Sequence, residues 1–295
     1  MLSILIPTYQ YDCSFLVNDL HQQAQELGVD YEIIVADDAS PTPSYRESLG
    51  KLSSLAHFRL IELKENVGRA RIRNLLAREA RYEWLLFMDA DAKVISPTFL
   101  AHYLSHAIQG TDVICGGLCH ASSLPSPDVS LRYAYEHRAD KRRAAHYRSQ
   151  QPSAHFTPFN FMIRREVFLS ICFCESITEY GHEDTLFGIA LGQRKVPLRH
   201  IDNPLQHLGL EPNEVFLKKS RAALRNLASM ENSLGEHSML IKAYRLLCRI
   251  GLSKPLARWY ARYETRLTAH LCGERPCLKL FFLYKLGYYC KVKQP

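Results

Sequence analysis

Short apolar runs alternate with stretches of helical periodicity through the first hundred residues. The runs Leu2–Ile6, Glu32–Ala36, Phe58–Leu63 and Trp84–Met88 read as strands. The stretches Phe15–Leu27, Tyr45–Leu55 and Val67–Ala80 read as helices, the first with Phe15, Leu16, Leu20, Ala24 and Leu27 near a 3.6-residue period. Asn66-Val67-Gly68 looks like a helix entry. This alternation is the signature of βαβ units and predicts an α/β chain with a largely parallel sheet.

Asp112–Gly117 predicts another buried strand, and Phe159–Ile163 and Val196–Ile201 predict two more, flanking a helix over His182–Gly192. Residues 120–158 lose periodicity and gain Ser, Pro and the charged stretch Asp140-Lys141-Arg142-Arg143. A segment of that length is either an active-site loop or lid, part of it helical around Tyr133–His146, or a solvated surface helix. From about Asn213 the strand signals stop, and amphipathic helical patterns run to the end through Leu217, Leu224, Ile241, Leu256, Trp259, Leu267 and Leu283.

Charge sharpens this division. The 295-residue chain is +7 overall, but residues 1–214 hold 21 Lys+Arg against 26 Asp+Glu, and residues 215–295 hold 16 against 4. The basic surplus is therefore C-terminal, mixed with Trp259, Tyr260, Tyr263, Phe281, Phe282, Tyr284, Tyr288 and Tyr289. Such a mixture suits the surface of an anionic bilayer, or the solvated face of a packed helical subdomain. Nucleic-acid binding is not expected, because the N-terminal region is acidic and no recognisable nucleic-acid module is present. Nine cysteines are an odd number with no Cys-x-x-Cys pair, which fits reduced thiols in a cytosolic protein. Met1 leads directly into a short apolar run with no basic region before it, and no stretch of 18 uncharged apolar residues occurs. Neither a signal peptide nor a membrane-spanning helix is expected.

The chemistry gathers at the ends of the strands. The run Trp84-Leu85-Leu86-Phe87-Met88 stops in Asp89-Ala90-Asp91, which taken alone is either a solvated turn or a pair of hard oxygen ligands aimed out of the carboxyl end, where an open α/β sheet puts its binding crevice. The first strand ends in Pro7-Thr8-Tyr9, where a proline interrupts the ladder. The second ends in Asp37-Asp38, whose carboxylates can accept from a base or ribose, or can build a turn and cap a helix. Gly68 opens a helix carrying Arg69 and Arg73 one turn apart on one face, with Asn74 beside them, which is either a solvated basic helix or a pair within reach of a diphosphate.

Ser3-Ile4-Leu5-Ile6-Pro7-Thr8-Tyr9, Ile33-Ile34-Val35-Ala36-Asp37-Asp38-Ala39-Ser40, Asn66-Val67-Gly68-Arg69-Ala70-Arg71-Ile72-Arg73-Asn74 and Phe87-Met88-Asp89-Ala90-Asp91 come in an order that resembles the GT-A glycosyltransferases of family 2. The resemblance covers roughly residues 1–210. It implies a GT-A, Rossmann-like mixed and mostly parallel sheet flanked by helices, to which the amphipathic pattern from about Asn213 adds a C-terminal all-helical extension. It divides the chain into a catalytic domain over 1–212, with a nucleotide-binding half to residue 118 and an acceptor-binding half from 119, and a basic helical extension over 213–295.

By the same resemblance, Thr8, Tyr9, Asp37 and Asp38 lie near base and ribose, and Arg69 or Arg73 holds the diphosphate. Asp89 and Asp91 contact ribose and a divalent cation, Mn²⁺ or Mg²⁺, that stabilises the leaving nucleoside diphosphate. Tyr180-Gly181-His182-Glu183-Asp184 resembles the family's acidic motif at a helix start, making Asp184 the general base of an inverting transfer and Glu183 its neighbour at the acceptor. His207 is a further metal-ligand candidate, ahead of His200, and Asn160 a candidate sugar contact.

The expected partners are a nucleotide-sugar donor, UDP-linked by preference, and a saccharide or lipid-linked saccharide acceptor, with the enzyme in the cytoplasm, at the inner face of the membrane if the basic tail docks there. Gln193-Arg194-Lys195-Val196 lacks the tryptophan of the Gln-x-x-Arg-Trp element of processive synthases, which favours addition of a single sugar. Two rivals are a sugar-nucleotide nucleotidyltransferase, which would need a glycine-rich phosphate loop that Pro7-Thr8-Tyr9-Gln10-Tyr11-Asp12 does not supply, and a binding module without turnover.

Overall fold

The computed structural model describes residues 1–177, 181–235 and 237–294. β1 (Leu2–Thr8), β2 (Tyr31–Asp37), β3 (Phe58–Glu62) and β4 (Trp84–Met88) pair in parallel. Parallel neighbours need crossovers, supplied by α1 (Ser14–Leu27), α2 (Pro43–Lys51) and α3 (Arg69–Glu79). Further strands are β5 (Ala92–Lys93), β6 (Val113–Cys115), β7 (Leu118–Cys119), β8 (Asn160–Arg164), β9 (Leu198–His200) and β10 (Leu205–His207). The main sheet runs β3-β2-β1-β4-β8-β6-β9, mixed because β8 lies antiparallel to both β4 and β6. A second, three-stranded sheet runs β5-β10-β7.

The order of strands places the crevice. β1 pairs with β2 from Leu2 to Thr8, but with β4 only from Leu2 to Leu5. The ladder on the β4 side thus stops short of Pro7, which has no amide hydrogen to give, while the β2 side continues past it. Successive strands add outward from β1 to β3 and the chain then returns to place β4 on the other side of β1, so the carboxyl ends of β1 and β4 flank the topological switch point, where ligands of open α/β sheets bind.

Apolar runs are needed because both faces of this sheet are covered. Leu2, Ile4 and Ile6 of β1, Ile33 and Val35 of β2, and Leu86 and Met88 of β4 face one core with Leu16, Val17, Leu20 and Ala24 of α1. The alternate residues Leu5, Ile34, Ala36, Leu85 and Phe87 face a second core with Ile72 and Leu76 of α3. Full burial of each Val, Leu, Ile, Met or Phe among them stabilises the fold by about 1.5–3 kcal/mol.

Each anticipated strand and helix of this half forms, with ends shifted by a few residues. α2 stops at Lys51, and Leu52–Ser54 continue as a 3₁₀ turn. Two short helices carried too little periodicity to be read, α4 (Phe99–Ser105) and a seven-residue helix, Arg165–Ile171. The span around Tyr133–His146 is not one helix: it holds α5 (Ser130–His137), a 3₁₀ turn at Asp140–Arg142 and α6 (Ala145–Arg148). Following α6, the Arg165–Ile171 helix is α7, and α8 spans Glu183–Gln193. Phe168 of α7 and Phe187 and Leu191 of α8 complete the second core.

The chain forms two compact units. One comprises Met1–Ala121, Asp140–Ser176 and Glu183–Gly209; the other comprises Ser122–Ala139, Leu210 onward and the described residues of Ile177–His182. The second unit is helical: α5 joins α9 (Asn213–Ser229), α10 (Glu231–Leu234), α11 (Met239–Arg249), α12 (Ser253–Leu271) and α13 (Leu278–Val292). Its core packs Leu131, Phe216, Leu217, Tyr260, Leu267, Leu271, Phe281 and Tyr284. Asn213 fastens α5 to α9, its Oδ1 accepting from the Leu131 amide at 2.8 Å. No helix among the described residues is long and apolar enough to cross a membrane.

Candidate active site

Met88, the last residue of β4, is fully buried, and the chain leaves the sheet at Asp89. The Asp89 amide still donates to the Phe159 carbonyl at 3.2 Å, and the Ala92 amide donates back to the Asp89 carbonyl at 3.2 Å, closing a turn that carries Asp91. β5 then pairs antiparallel with β10 in a register that sets His207 opposite Ala92. That register brings His207 Nε2 to 3.2 Å from Asp91 Oδ2. The Leu208 amide donates to the Asp91 carbonyl at 2.9 Å, so both backbone and side chain of Asp91 are held by the β10 strand end.

Burial works against ionisation of Asp91, but the hydrogen bond and charge of His207, with Arg69 behind them, outweigh it and hold the carboxyl below its ordinary range. Gly209 matters here: a Cβ at that position would stand 1.9 Å from Asp91 Oδ2, so only glycine leaves room for the carboxylate. His207 packs edge-on against Phe159, centroids 5.4 Å apart, and against His120 at 5.9 Å. His120 and His207 each offer a ring nitrogen within 4.8 Å of the other.

Arg73 is almost wholly buried and reaches across to Asp89, Nη2 to Oδ1 at 2.6 Å, with the Phe173 ring 5.6 Å from its guanidinium. Charge-assisted bonds of this kind are short and directional, so Arg73 fixes the Asp89 carboxylate. Arg69, one turn earlier, is exposed at the start of α3. Asn74 turns inward. Its Nδ2 donates to the Phe173 carbonyl and to Glu175 Oε1, both at 2.9 Å, and its Oδ1 accepts from the Phe173 amide at 2.9 Å.

The pair Asp37-Asp38 ends β2 with both carboxylates engaged by the protein. Asp37 accepts from the Ser40 amide at 3.1 Å and from the Ser40 hydroxyl, with Arg46 Nε at 3.8 Å. Asp38 accepts from the amides of Val67 at 2.7 Å and Gly68 at 3.0 Å, which sets the lead-in to α3. Burial, only partly offset by these two amides, raises the Asp38 carboxyl above its ordinary value. Gly68 has φ 84°, a conformation that costs glycine nothing. Thr8, buried at the end of β1, donates to the Tyr11 carbonyl at 2.9 Å, Pro7 is partly buried before it, and Tyr9 is exposed after it. Burial and then the charge of Asp91 push the Tyr11 phenol up.

Two carboxylates, a histidine and two arginines thus converge where β1 and β4 part, an arrangement suited to a sugar nucleotide. The sequence model of Glycosyl transferase family 2 matches residues 3–171, more than half of the chain. The chain belongs to glycosyl transferase family 2. A glycosyltransferase of Bacillus subtilis strain 168, YfnE, itself uncharacterised, is 33% identical over 117 residues, covering 39% of this chain and 29% of that protein. The match takes in less than a third of that relative's length. Among solved structures, the Pyrobaculum calidifontis mannosyltransferase PcManGT, in complex with GDP-Man and Mn²⁺, superposes with a TM-score of 0.59 at 15% identity, covering 97% of this chain and 85% of that one. S. aureus TarS 1-349 in complex with UDP-GlcNAc gives 0.51 at 16%, covering 99% and 90%. At these identities the likeness is one of fold, and it is the GT-A fold.

The remaining expected site residues are placed as follows. Asn160, expected at the sugar, is fully buried: Nδ2 donates to the carbonyls of Gly117 and Asn203, both at 2.9 Å, and Oδ1 accepts from the Tyr103 hydroxyl at 2.7 Å. It ties β8 to the segment after β6. Ala90 is buried under the turn between the two aspartates. Glu183, buried, and Asp184, partly buried, form the first turn of α8, where acids complement the helix dipole. Asp184 Oδ1 accepts from the Thr185 amide at 2.7 Å. Tyr180, which opened that motif, lies outside the described residues.

His200 is spoken for elsewhere. Arg148 Nη1 donates to its Nδ1 at 2.6 Å, so its Nε2 carries the hydrogen given to the Pro152 carbonyl at 3.0 Å. Burial, together with the Arg148 charge, brings its pKa down to about 4. Arg148 also donates to the carbonyls of Arg143, Cys115, Gly116 and Ile201, pinning the 143–148 segment to the ends of β6 and β9. Beyond it opens a cleft of about 280 Å³ lined by Gly116, Leu118, Cys119, His120, Arg143 and Asp202. His120, Tyr11 and Gly209 were not singled out in the sequence. His120 and His207 stand 87 positions apart, joined only by strands of two and three residues, β7 and β10, too short for any periodic signal.

Proposed function

We propose that this transferase moves one sugar from a UDP-sugar to a saccharide or lipid-linked saccharide with inversion at the anomeric carbon. The observation that carries the reading is the Asp91–His207 contact of 3.2 Å beside the Arg73–Asp89 pair, at the switch point of the sheet. A carboxylate with a neighbouring imidazole, and a second imidazole close by, is a donor set that suits Mn²⁺ better than Mg²⁺. Asp91 and His207 would hold the ion, which when bound offsets the charge building on the departing nucleoside diphosphate.

The protein's own groups do the rest. Asp89, fixed by Arg73, accepts from the ribose hydroxyls. Arg69, exposed at the head of α3, faces the diphosphate from the helix amino terminus. Tyr9 is accessible for stacking against the base. Asp184 takes the acceptor hydroxyl's proton during in-line attack, and Glu183 orients that acceptor. The cleft beside His120 sets Arg143 and Asp202 among apolar lining residues, a few polar groups of the kind that can orient saccharide hydroxyls. GDP-Man and UDP-GlcNAc are both held on similar folds, so the base is chosen by side chains; UDP is the commonest donor nucleotide of the family.

The reading is tested by incubating the protein with UDP-, GDP- and dTDP-sugars and Mn²⁺ and scoring the released nucleotide. Nucleoside diphosphate release supports transfer. Pyrophosphate release identifies a nucleotidyltransferase instead, and thermal stabilisation by nucleotide with no turnover identifies a binding module. Asp184→Asn is expected to keep nucleotide binding and lose roughly 10²–10⁴-fold in transfer rate. Transfer at the wild-type rate in that variant would remove Asp184 as the base.

A further inference from the structure

The helical unit carries one face whose composition its fold does not use. α11 docks through fully buried Ile241 and through Tyr244, whose ring meets Tyr289 edge-on at 5.2 Å. Its other face points outward: Met239 is 78% exposed, Leu246 57% and Ile250 56%, at the spacing of a single helix face. Leu252, in the turn before α12, is 49% exposed. Four large apolar side chains in one short stretch are a patch rather than the scattered exposure that folded surfaces ordinarily show.

A basic stripe adjoins it. Lys254, Arg258, Arg262 and Arg266 recur every fourth residue along α12, all exposed. None of the four pairs with a described carboxylate. Residues 237–263 contain six Lys or Arg and no Asp or Glu. Two described acids of the unit are paired with other cations: Glu231 with Arg245 at 3.3 Å and Lys293 at 3.0 Å, and Glu264 with Arg221 at 3.2 Å and Lys291 at 3.0 Å.

We propose that the edge formed by α11, the 250–252 turn and the outer face of α12 is a docking surface for an anionic lipid bilayer. Charge complementarity selects a negatively charged partner, and the apolar edge selects among such partners. A soluble polyanion satisfies the arginines but leaves Met239, Leu246, Ile250 and Leu252 in water. A second copy of the chain would bring the same basic stripe toward its equal. A bilayer surface supplies both parts: headgroup phosphates for Lys254, Arg258, Arg262 and Arg266, and the acyl boundary for the apolar side chains. The inference is independent of the sugar-transfer reading, since it uses only residues of the helical unit.

Co-sedimentation of the full chain with phosphatidylcholine vesicles, with and without phosphatidylglycerol, tests it. Binding is expected only to the anionic vesicles, falling as salt is raised. Arg258→Gln/Arg262→Gln and Ile250→Ser/Leu252→Ser are each expected to lower the bound fraction by about tenfold or more. All four positions are solvent-facing, so folding should be unchanged, which circular dichroism checks. Donor-sugar cleavage in solution should stay at the wild-type level in both variants. Equal binding to neutral vesicles, or anionic binding that survives both double substitutions, overturns the proposal. So does a dimer in solution that Ile250→Ser/Leu252→Ser dissociates while wild type ignores vesicles.

Discussion

Asp91 is held on three sides: by His207 at Oδ2, by the Leu208 amide at its carbonyl, and by the missing side chain of Gly209. The aspartate stands out in the sequence because a buried strand stops at it. Gly209 does not, since a glycine between two leucines carries no pattern, and its role exists only once β10 lies against β5. A methyl at 209 cannot share space with Oδ2, so Gly209→Ala is expected to swing the carboxylate off His207. The measurement is Mn²⁺ binding by electron paramagnetic resonance, with an expected loss of at least about tenfold while the melting temperature moves only a little. Unchanged Mn²⁺ affinity would show that Asp91 acts in another position. The residues around the crevice divide in a way the sequence could not reveal. Asp37 and Asp38 have the look of ribose ligands, yet both build the turn after β2 and the entry to α3, because a carboxylate at a strand end serves either purpose. Arg69 and Arg73 share a helix face, but one is exposed and the other is buried against Asp89.

At the scale of elements, the parallel half was readable because covered strands are continuously apolar and their crossover helices keep a 3.6-residue period. The second sheet was not, since strands of two or three residues carry no periodicity, and it is this sheet that delivers His207. Segment 120–158 was equally opaque. α5 turns out to pack with the helical unit through Leu131, whereas α6 is pinned to β6 and β9 by Arg148 and His200. The pinning has a pH signature. His200 stays neutral in the folded protein down to about pH 4, while in the unfolded chain it takes up a proton near its ordinary value of about 6.5. As pH falls through that window the unfolded state gains the proton first, so stability is lost from about 6.5 to about 4. His200→Gln keeps an acceptor and a donor without titrating, and is expected to flatten the stability profile between these limits in urea titrations. A slope unchanged by the substitution would place the acid sensitivity in other groups.

For the whole molecule, the strand order opens a crevice where β1 and β4 part, and the β5-β10-β7 sheet brings His207 to Asp91. The fold and family are fixed by the strand order and by the match over residues 3–171; the chemistry proposed for the crevice depends on the metal corner at Asp91. Calorimetric titration of UDP, or of the diphosphate identified in the donor panel, with and without Mn²⁺, tests that corner most directly. Wild type is expected to bind the nucleotide at least about tenfold more tightly with Mn²⁺, and Asp91→Ala to bind it with no metal enhancement. Nucleotide affinity indifferent to Mn²⁺ in the wild type, or an enhancement that Asp91→Ala retains, would contradict the account.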